Sequence, residues 1–264
     1  MDTNKFHLWI TGASSGIGEA LVYEYAPHAD LIIISARNQK ELERVQAKAS
    51  GQRAQIKVVP LDLEKYETLQ NIATTVLNEV HHIDLLINNG GISQRSLAIQ
   101  TSIDVDKKLM DVNFLGTIAL TKAVLPSMIK RNQGQIATVT SLVGKFGTPL
   151  RSTYSASKHA LHGFFDSLRV ELADTKISIS MVLPGFIKTN VSLNAMTQDG
   201  SKQGSMDKQT GEGMEPELFA KILRKRLQNK EHEIMIGKKE VMAVYLKRLS
   251  PALLHRVLSK VKVT

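Results

Sequence analysis

No cysteine occurs anywhere in the 264 residues. Disulfides and thiolate metal sites are therefore excluded, no metal is expected, and catalysis must draw on hydroxyl, amine or carboxyl groups. Aromatic residues are scarce, at 5% with a single tryptophan, which leaves little from which to build a stacking platform for nucleic acid. Long hydrophobic runs are missing as well, and none approaches the roughly 20 residues that cross a bilayer. The chain reaches its first apolar segment at Phe6 with only Lys5 before it and no small-residue cleavage site. That is unlike a secretory signal, so the expected compartment is the cytoplasm. Acidic residues are in deficit, 25 against 34 lysines and arginines, for a formal charge of +9. The excess is local: in 238–264, Lys238, Lys239, Lys247, Arg248, Arg256, Lys260 and Lys262 face only Glu240, so this tail holds six of the nine charges. A nucleic-acid partner would need a basic face with aromatics among the cations, and Tyr245 alone does not supply it, so none is expected.

What is present is the pattern of a single α/β domain covering 1–264. Hydrophobic residues make up 42%, enough for one large core at this length. Short β-rich runs at 7–10, 31–35, 56–60, 85–88, 135–140, 177–182 and 233–236 alternate with helical periodicity at 18–26, 39–49, 66–80, a pair within 104–131, and 152–174. Several of the strands are apolar without alternation, as strands covered on both faces are. The expected architecture is a doubly wound, parallel, seven-stranded sheet flanked by helices. Only 192–213, rich in Ser, Gly, Gln and Asp, lacks an apolar period and reads as a mobile loop.

The first strand runs into Thr11-Gly12-Ala13-Ser14-Ser15-Gly16-Ile17-Gly18 and then a helix. Glycines here let backbone approach a pyrophosphate, whose charge sits at the helix N-terminus. The spacing Gly-x-x-x-Gly-x-Gly resembles the fingerprint of the short-chain dehydrogenase/reductase family, which implies a Rossmann fold and a nicotinamide dinucleotide. An acid at the end of the second strand would bind a ribose 2′-hydroxyl and repel a 2′-phosphate. The chain has Ser35-Ala36-Arg37-Asn38 there, and the Arg37 fork suits phosphate, so NADP(H) is favoured over NAD(H). The resemblance further implies cofactor contacts from Asp62 and Leu63 after the third strand, from Asn89 and Gly90 in Asn88-Asn89-Gly90-Gly91, and from Pro184, Gly185, Ile187 and Thr189 after the sixth.

Ser141 follows the fifth strand, and Tyr154 and Lys158 stand four apart on one face of the next helix. A phenol ionises near pH 10, so as a base it needs a neighbouring cation, which Lys158 offers. In the family resemblance the matching tyrosine is the general acid/base, the serine holds the substrate oxygen, and the lysine also bonds the nicotinamide ribose. Asn113, in Asp-Val-Asn-Phe-Leu-Gly, matches the asparagine that kinks a helix and holds a relay water. Core motifs cover about residues 5–190. The resemblance also implies a dimer or tetramer paired through 113–131 and 152–174.

The implied reaction is hydride exchange between a nicotinamide and a small-molecule carbonyl or secondary alcohol. The competing reading is a catalytically silent NADP(H)-binding redox sensor or interaction subunit, since fold alone does not establish activity. Intact Ser141, Tyr154, Lys158 and Asn113 speak against it. The tail reads as helices at 241–249 and 253–261, broken at Pro251, with Leu253, Leu254, Val257, Leu258 and Val261 sharing a stripe. Packing on the chain's own body or a second subunit is favoured over shallow insertion at an anionic membrane. The tail loosely resembles hydroxysteroid-type and lipid-carbonyl reductases, which implies an apolar substrate closed in by a substrate loop, 191–215, with Met196, Met206 and Met214 as an adaptable wall.

Overall fold

The structure is a computed structural model that describes residues 5–260. Seven strands form one sheet: β1 (His7–Thr11), β2 (Leu31–Ser35), β3 (Gln55–Val58), β4 (Leu85–Asn88), β5 (Gly134–Val139), β6 (Ile177–Pro184) and β7 (Glu233–Ile236). All pairings are parallel, in the order β3-β2-β1-β4-β5-β6-β7. Successive strand residues serve opposite layers. Trp9, Ile33, Leu86, Ile136 and Ile179 enter one core, whereas Leu8, Ile10, Ile32, Ile34 and Ile87 enter the other. Both faces need covering, which is why these runs are continuously apolar.

The first core is covered by α3 (Leu69–Val80), α5 (Gly116–Arg131) and α6 (Ser152–Glu171), and the second by α1 (Gly16–Tyr25), α2 (Gln39–Lys48) and α8 (Pro216–Gln228). The sequence reading passed over α8, although Pro216 at its first turn and Phe219, Ala220, Leu223 and Leu227 on one face announce it. The remaining helices are α4 (Ile103–Met110), the single turn α7 (Lys208–Gly211), α9 (Met242–Leu249) and α10 (Pro251–Leu258).

The expected helix pair in 104–131 is instead one 29-residue run, α4 and α5 joined through a π-turn at Asp111–Leu115. The run is long and apolar enough to cross a bilayer by length and composition, contrary to the expectation from consecutive hydrophobics. Here 56% of its most apolar window is buried inside the fold. Its apolar residues are spaced round a helix rather than strung together, which is why the run is not conspicuous in sequence.

Two further expectations change. Segment 192–213 is tied down: Ser192, Ala195, Met196, Asp207 and Thr210 are buried, and the Arg95 and Met196 backbones bond across to Met196 and Ser93 at 2.8 Å each. A buried ion pair anchors it without any helical period. The tail stripe is split: Leu254 is buried and Leu258 half-buried against the first core, whereas Leu253 and Val257 are exposed. Residues four apart share a row on a helix, so 254/258 and 253/257 face different ways. Val261 lies outside the described residues.

Candidate active site

The cleft opens at the carboxyl ends of β1 and β4, where the strand order reverses, the crevice such sheets offer to ligands. Its volume is about 990 Å3, room for a dinucleotide and a second small molecule. Gly12, Ser14, Ser15, Gly16 and Ile17 line one side. Gly12 and Gly16 have φ of +65° and +56°, and a Cβ on Gly12 would sit 2.8 Å from the Gly90 Cα. Gly18 lies outside the lining and serves packing, since its Cβ would run into the Gly12 carbonyl. Arg44, paired with Glu19 at 2.8 Å, donates to the Ser14 carbonyl at 3.3 Å and braces the loop.

Arg37 is exposed at the rim and makes no ion pair among the described residues. Asp62 and Leu63 also line the cleft, and the Asp62 carboxylate accepts the Glu64 N–H at 3.1 Å. Asn89 donates to the Thr11 and Gly12 carbonyls at 3.0 and 3.3 Å, while the Gly90 N–H donates to Thr11 Oγ1 at 2.9 Å. These two residues shape the glycine loop as well as line it. Pro184, Gly185, Ile187 and Thr189 form the opposite wall. Glu240, from the tail, packs on Gly185 and accepts the Phe186 N–H at 3.1 Å. A cradle of glycines and a helix N-terminus fit the pyrophosphate of a nicotinamide dinucleotide.

Ser141, Tyr154 and Lys158 meet in this cleft. Ser141 caps the short turn Leu142–Gly144 by accepting the Val143 N–H at 3.3 Å. Lys158 Nζ donates to the Val139 carbonyl at 3.0 Å and lies 5.8 Å from the Tyr154 ring centre. Burial brings Lys158 down to about 8, because the charged amine loses hydration. Asn113 is fully buried in the π-turn; its Oδ1 accepts the Ile92 N–H at 2.8 Å and its Nδ2 donates to Ile92 O at 2.9 Å and Ser157 Oγ at 3.1 Å. Gly91 separates it from Lys158, as a Cβ there would stand 3.0 Å from Asn113 Oδ1 and 3.5 Å from Lys158 Nζ.

The electrostatics of the tyrosine differ from expectation. Burial raises the Tyr154 phenol, and the opposing pull comes first from Arg151, then from the Ser141 hydroxyl and Arg95. Lys158 is turned to a carbonyl instead, so the phenol stays protonated at neutral pH.

Sequence reasoning missed the group that seats this tyrosine. Arg151, the residue before α6, provides no side-chain cap. Gln94, fully buried on the loop after β4, takes over: its Oε1 accepts the Thr153 and Tyr154 N–H groups at 3.0 and 3.1 Å. Beside it Arg95 and Arg151 line the cleft, and Asp207 bonds both from behind. The expected methionine wall is absent from the lining. Met196 packs on Val105 and Leu109, and the apolar wall is Leu142, Val143, Phe146, Phe186, Ala243 and Leu258.

The profile of the family described as short chain dehydrogenase matches residues 7–200. The chain belongs to the short-chain dehydrogenase/reductase family. As a family member it carries a dehydrogenase/reductase fold and function. It is 43% identical over 256 residues to "Dehydrogenase/reductase SDR family protein 7-like" of Drosophila melanogaster, covering 95% of this chain and 78% of that one. It is 38% identical over 255 residues to "Dehydrogenase/reductase SDR family member 7B" of Mus musculus, covering 95% and 79%. Among solved structures, a short-chain dehydrogenase from Streptomyces avermitilis superposes with a TM-score of 0.83 at 26% identity, over 97% of this chain and 96% of that one. Similar folds carry either cofactor: a Thermococcus sibiricus alcohol dehydrogenase holds 5-hydroxy-NADP (TM-score 0.76, 24% identity, 89% and 97% covered). A Burkholderia phymatum member holds NAD (TM-score 0.82, 18% identity, 100% and 98% covered).

Proposed function

We propose that this short-chain dehydrogenase is an NADP(H)-dependent carbonyl reductase with Tyr154 as its proton donor and an apolar ketone as its substrate. The observation that carries the reading is the convergence of Ser141, Tyr154 and Lys158 in one cleft beside the glycine loop. A bound nicotinamide supplies or accepts the hydride. Gly12, Gly16 and the α1 N-terminus would receive the pyrophosphate, and Arg37 the 2′-phosphate. Ser141 would hold the substrate oxygen, and the phenol gives it a proton. A phenol raised by burial is held in its protonated form, the state that can donate to a carbonyl oxygen. Lys158 Nζ, 5.8 Å from the ring centre, would then offset the phenolate that remains. The wall of Leu142, Val143, Phe146, Phe186 and Leu258 supports an apolar substrate body. Exposed Ile129 and Val170, on α5 and α6, support self-association through that pair of helices.

A panel of ketones assayed with NADPH and NADH tests the proposal. Tyr154→Phe is expected to lower turnover by about 10²-fold or more while NADPH affinity is kept. Turnover at the wild-type rate would refute the role of Tyr154. Wild-type binding of NADPH with no reduction of any carbonyl would favour the silent sensor instead.

A further inference from the structure

Two arginines line the substrate side of the cleft next to Tyr154, and both are only 8% exposed. A single carboxylate, Asp207, itself 3% exposed, serves the pair. Arg95 takes most of it: Nη2 and Nε reach Asp207 Oδ2 at 2.5 and 2.9 Å, and Nη1 donates to Ser93 Oγ at 2.9 Å and Gln94 O at 2.6 Å. The other carboxylate oxygen accepts the Gln203 amide at 2.8 Å. Arg151 is left with one long contact to the same Oδ2, 3.4 Å from its Nη2, and its buried Nε has no partner among the described residues.

Buried guanidinium groups are ordinarily paired, because an unpaired charge forfeits its hydration for nothing. An apolar side chain would fill the Arg151 position without that cost. Nor does the rest of the cleft answer it. Among the described residues its lining includes the cations Arg37, Arg95, Arg151, Lys158 and Lys202 and two carboxylates, Asp62 and Glu240. Asp62 lies by Arg37 at the glycine-loop side, and Glu240 is committed to the Phe186 and Lys238 N–H groups. The cleft lining therefore carries a surplus of positive charge, to which buried Arg95 and Arg151 contribute.

We propose that Arg151, held in place by the Arg95–Asp207 pair, is the receptor for an oxyanion on the substrate. The proposal deepens the carbonyl-reductase reading and rests on it for the position of the reacting carbon. The substrate is then an amphiphile: an apolar chain, a ketone and a carboxylate or phosphate close to it. A guanidinium fork fits two oxygens of either group. Reduction adds a hydride and a proton across the carbonyl and leaves the anion unchanged, so the anion's part is positioning and selection.

The test pairs binding with turnover. Decanoate, decyl phosphate and decanol are titrated calorimetrically into the protein with NADPH, in the wild type, Arg151→Met and Arg151→Lys. A medium-chain 3-oxo carboxylate and its methyl ester are compared as substrates. An anion bound through an arginine fork is expected to bind about ten-fold or more tightly than the alcohol. The acid's KM should fall below the ester's by a similar factor. Both preferences should vanish in Arg151→Met and survive in part in Arg151→Lys, and the tighter of decanoate and decyl phosphate identifies the anion. Equal handling of anion and neutral partner by the wild type overturns the proposal even if a variant fails to fold, as does a preference that outlives Arg151→Met. Ester reduction without acid preference removes the anion site and keeps the reductase. Anion-selective binding lost in Arg151→Met, with neither ketone reduced, removes the reductase and keeps the site.

Discussion

Asp207→Asn keeps the shape of the side chain and deletes its charge, which makes it the sharpest probe of how the substrate side is held together. The Arg95 and Asp207 side chains are 4% and 1% exposed, so water replaces little of what Arg95 loses with the carboxylate. Two guanidinium groups would remain side by side with no counter-charge. Breaking a buried pair from one side costs about 3–5 kcal/mol, a large share of the roughly 5–15 kcal/mol that stabilises a domain. At about 2 °C per kcal/mol for a chain of this size, the melting point should fall by about 6–10 °C. Calorimetric melts at low and high salt measure it, and the deficit should depend only weakly on ionic strength because the Arg95–Asp207 pair is buried. Burial alone would raise the Asp207 carboxyl, but Arg95, Gln203 and Arg151 outweigh it and hold it below its ordinary 3.8. The pairing therefore contributes fully above that value and fades as pH falls through the lower folded one. Arg95→Met should cost less than Asp207→Asn, since it leaves one cation with one carboxylate. A loss under about 1 kcal/mol, or one halved by salt, would mean that the pair is solvated and the anchoring argument is wrong.

His162 on α6 is buried beside Gly144, with its Nε2 3.3 Å from Thr140 Oγ1, and burial lowers it from 6.5 to about 4. The unfolded chain therefore takes up this proton first as pH falls, and on the order of 3 kcal/mol of stability should be lost between those two values. Urea melts at neutral and mildly acid pH check this, and His162→Asn should flatten the acid arm. Reductive turnover should decline above pH 8, where Lys158, lowered to about 8 by burial, loses its proton; a profile flat well above that would separate the amine from the chemistry. Arg37→Asp should shift the ratio of kcat/KM for NADPH over NADH by about ten-fold or more toward NADH, and an unchanged ratio would show that Arg37 does not read the 2′-phosphate.

The parts legible in the sequence are those governed by local rules. Ile32, Ile33 and Ile34 announce a strand buried on both faces, and Gly12, Gly16 and Gly18 announce a turn that a side chain would block. The Tyr154–Lys158 spacing is legible because a helix puts residues four apart on one face. What escaped is pairing between distant loops. Arg95 and Asp207 are 112 residues apart, Gln94 caps a helix 59 residues on, and neither contact has a period. The polar composition of 192–213 reads as a mobile loop because charge that is paired inside a fold and charge that is solvated are spelled with the same letters. The methionine wall failed for a related reason: side-chain type says what could line a pocket, and the backbone route decides what does.

One physical cause runs through both members of the Tyr154–Lys158 pair. Burial disfavours whichever form is charged, so it raises the phenol and lowers the amine together. At rest the pair is therefore pressed toward a neutral phenol, the state that can give a proton. The same dry setting magnifies the attraction that appears once the proton has gone, when a phenolate stands near an ammonium. Arg151, the cation that pulls hardest on Tyr154, is also the one without a full partner. An anionic substrate seated on it would weaken that pull before the chemistry begins, holding the phenol protonated while the carbonyl is placed. Lys158 would then be the charge that meets the phenolate. On the proposed reading the two cations would divide the work, one selecting the substrate and the other stabilising what the proton leaves behind.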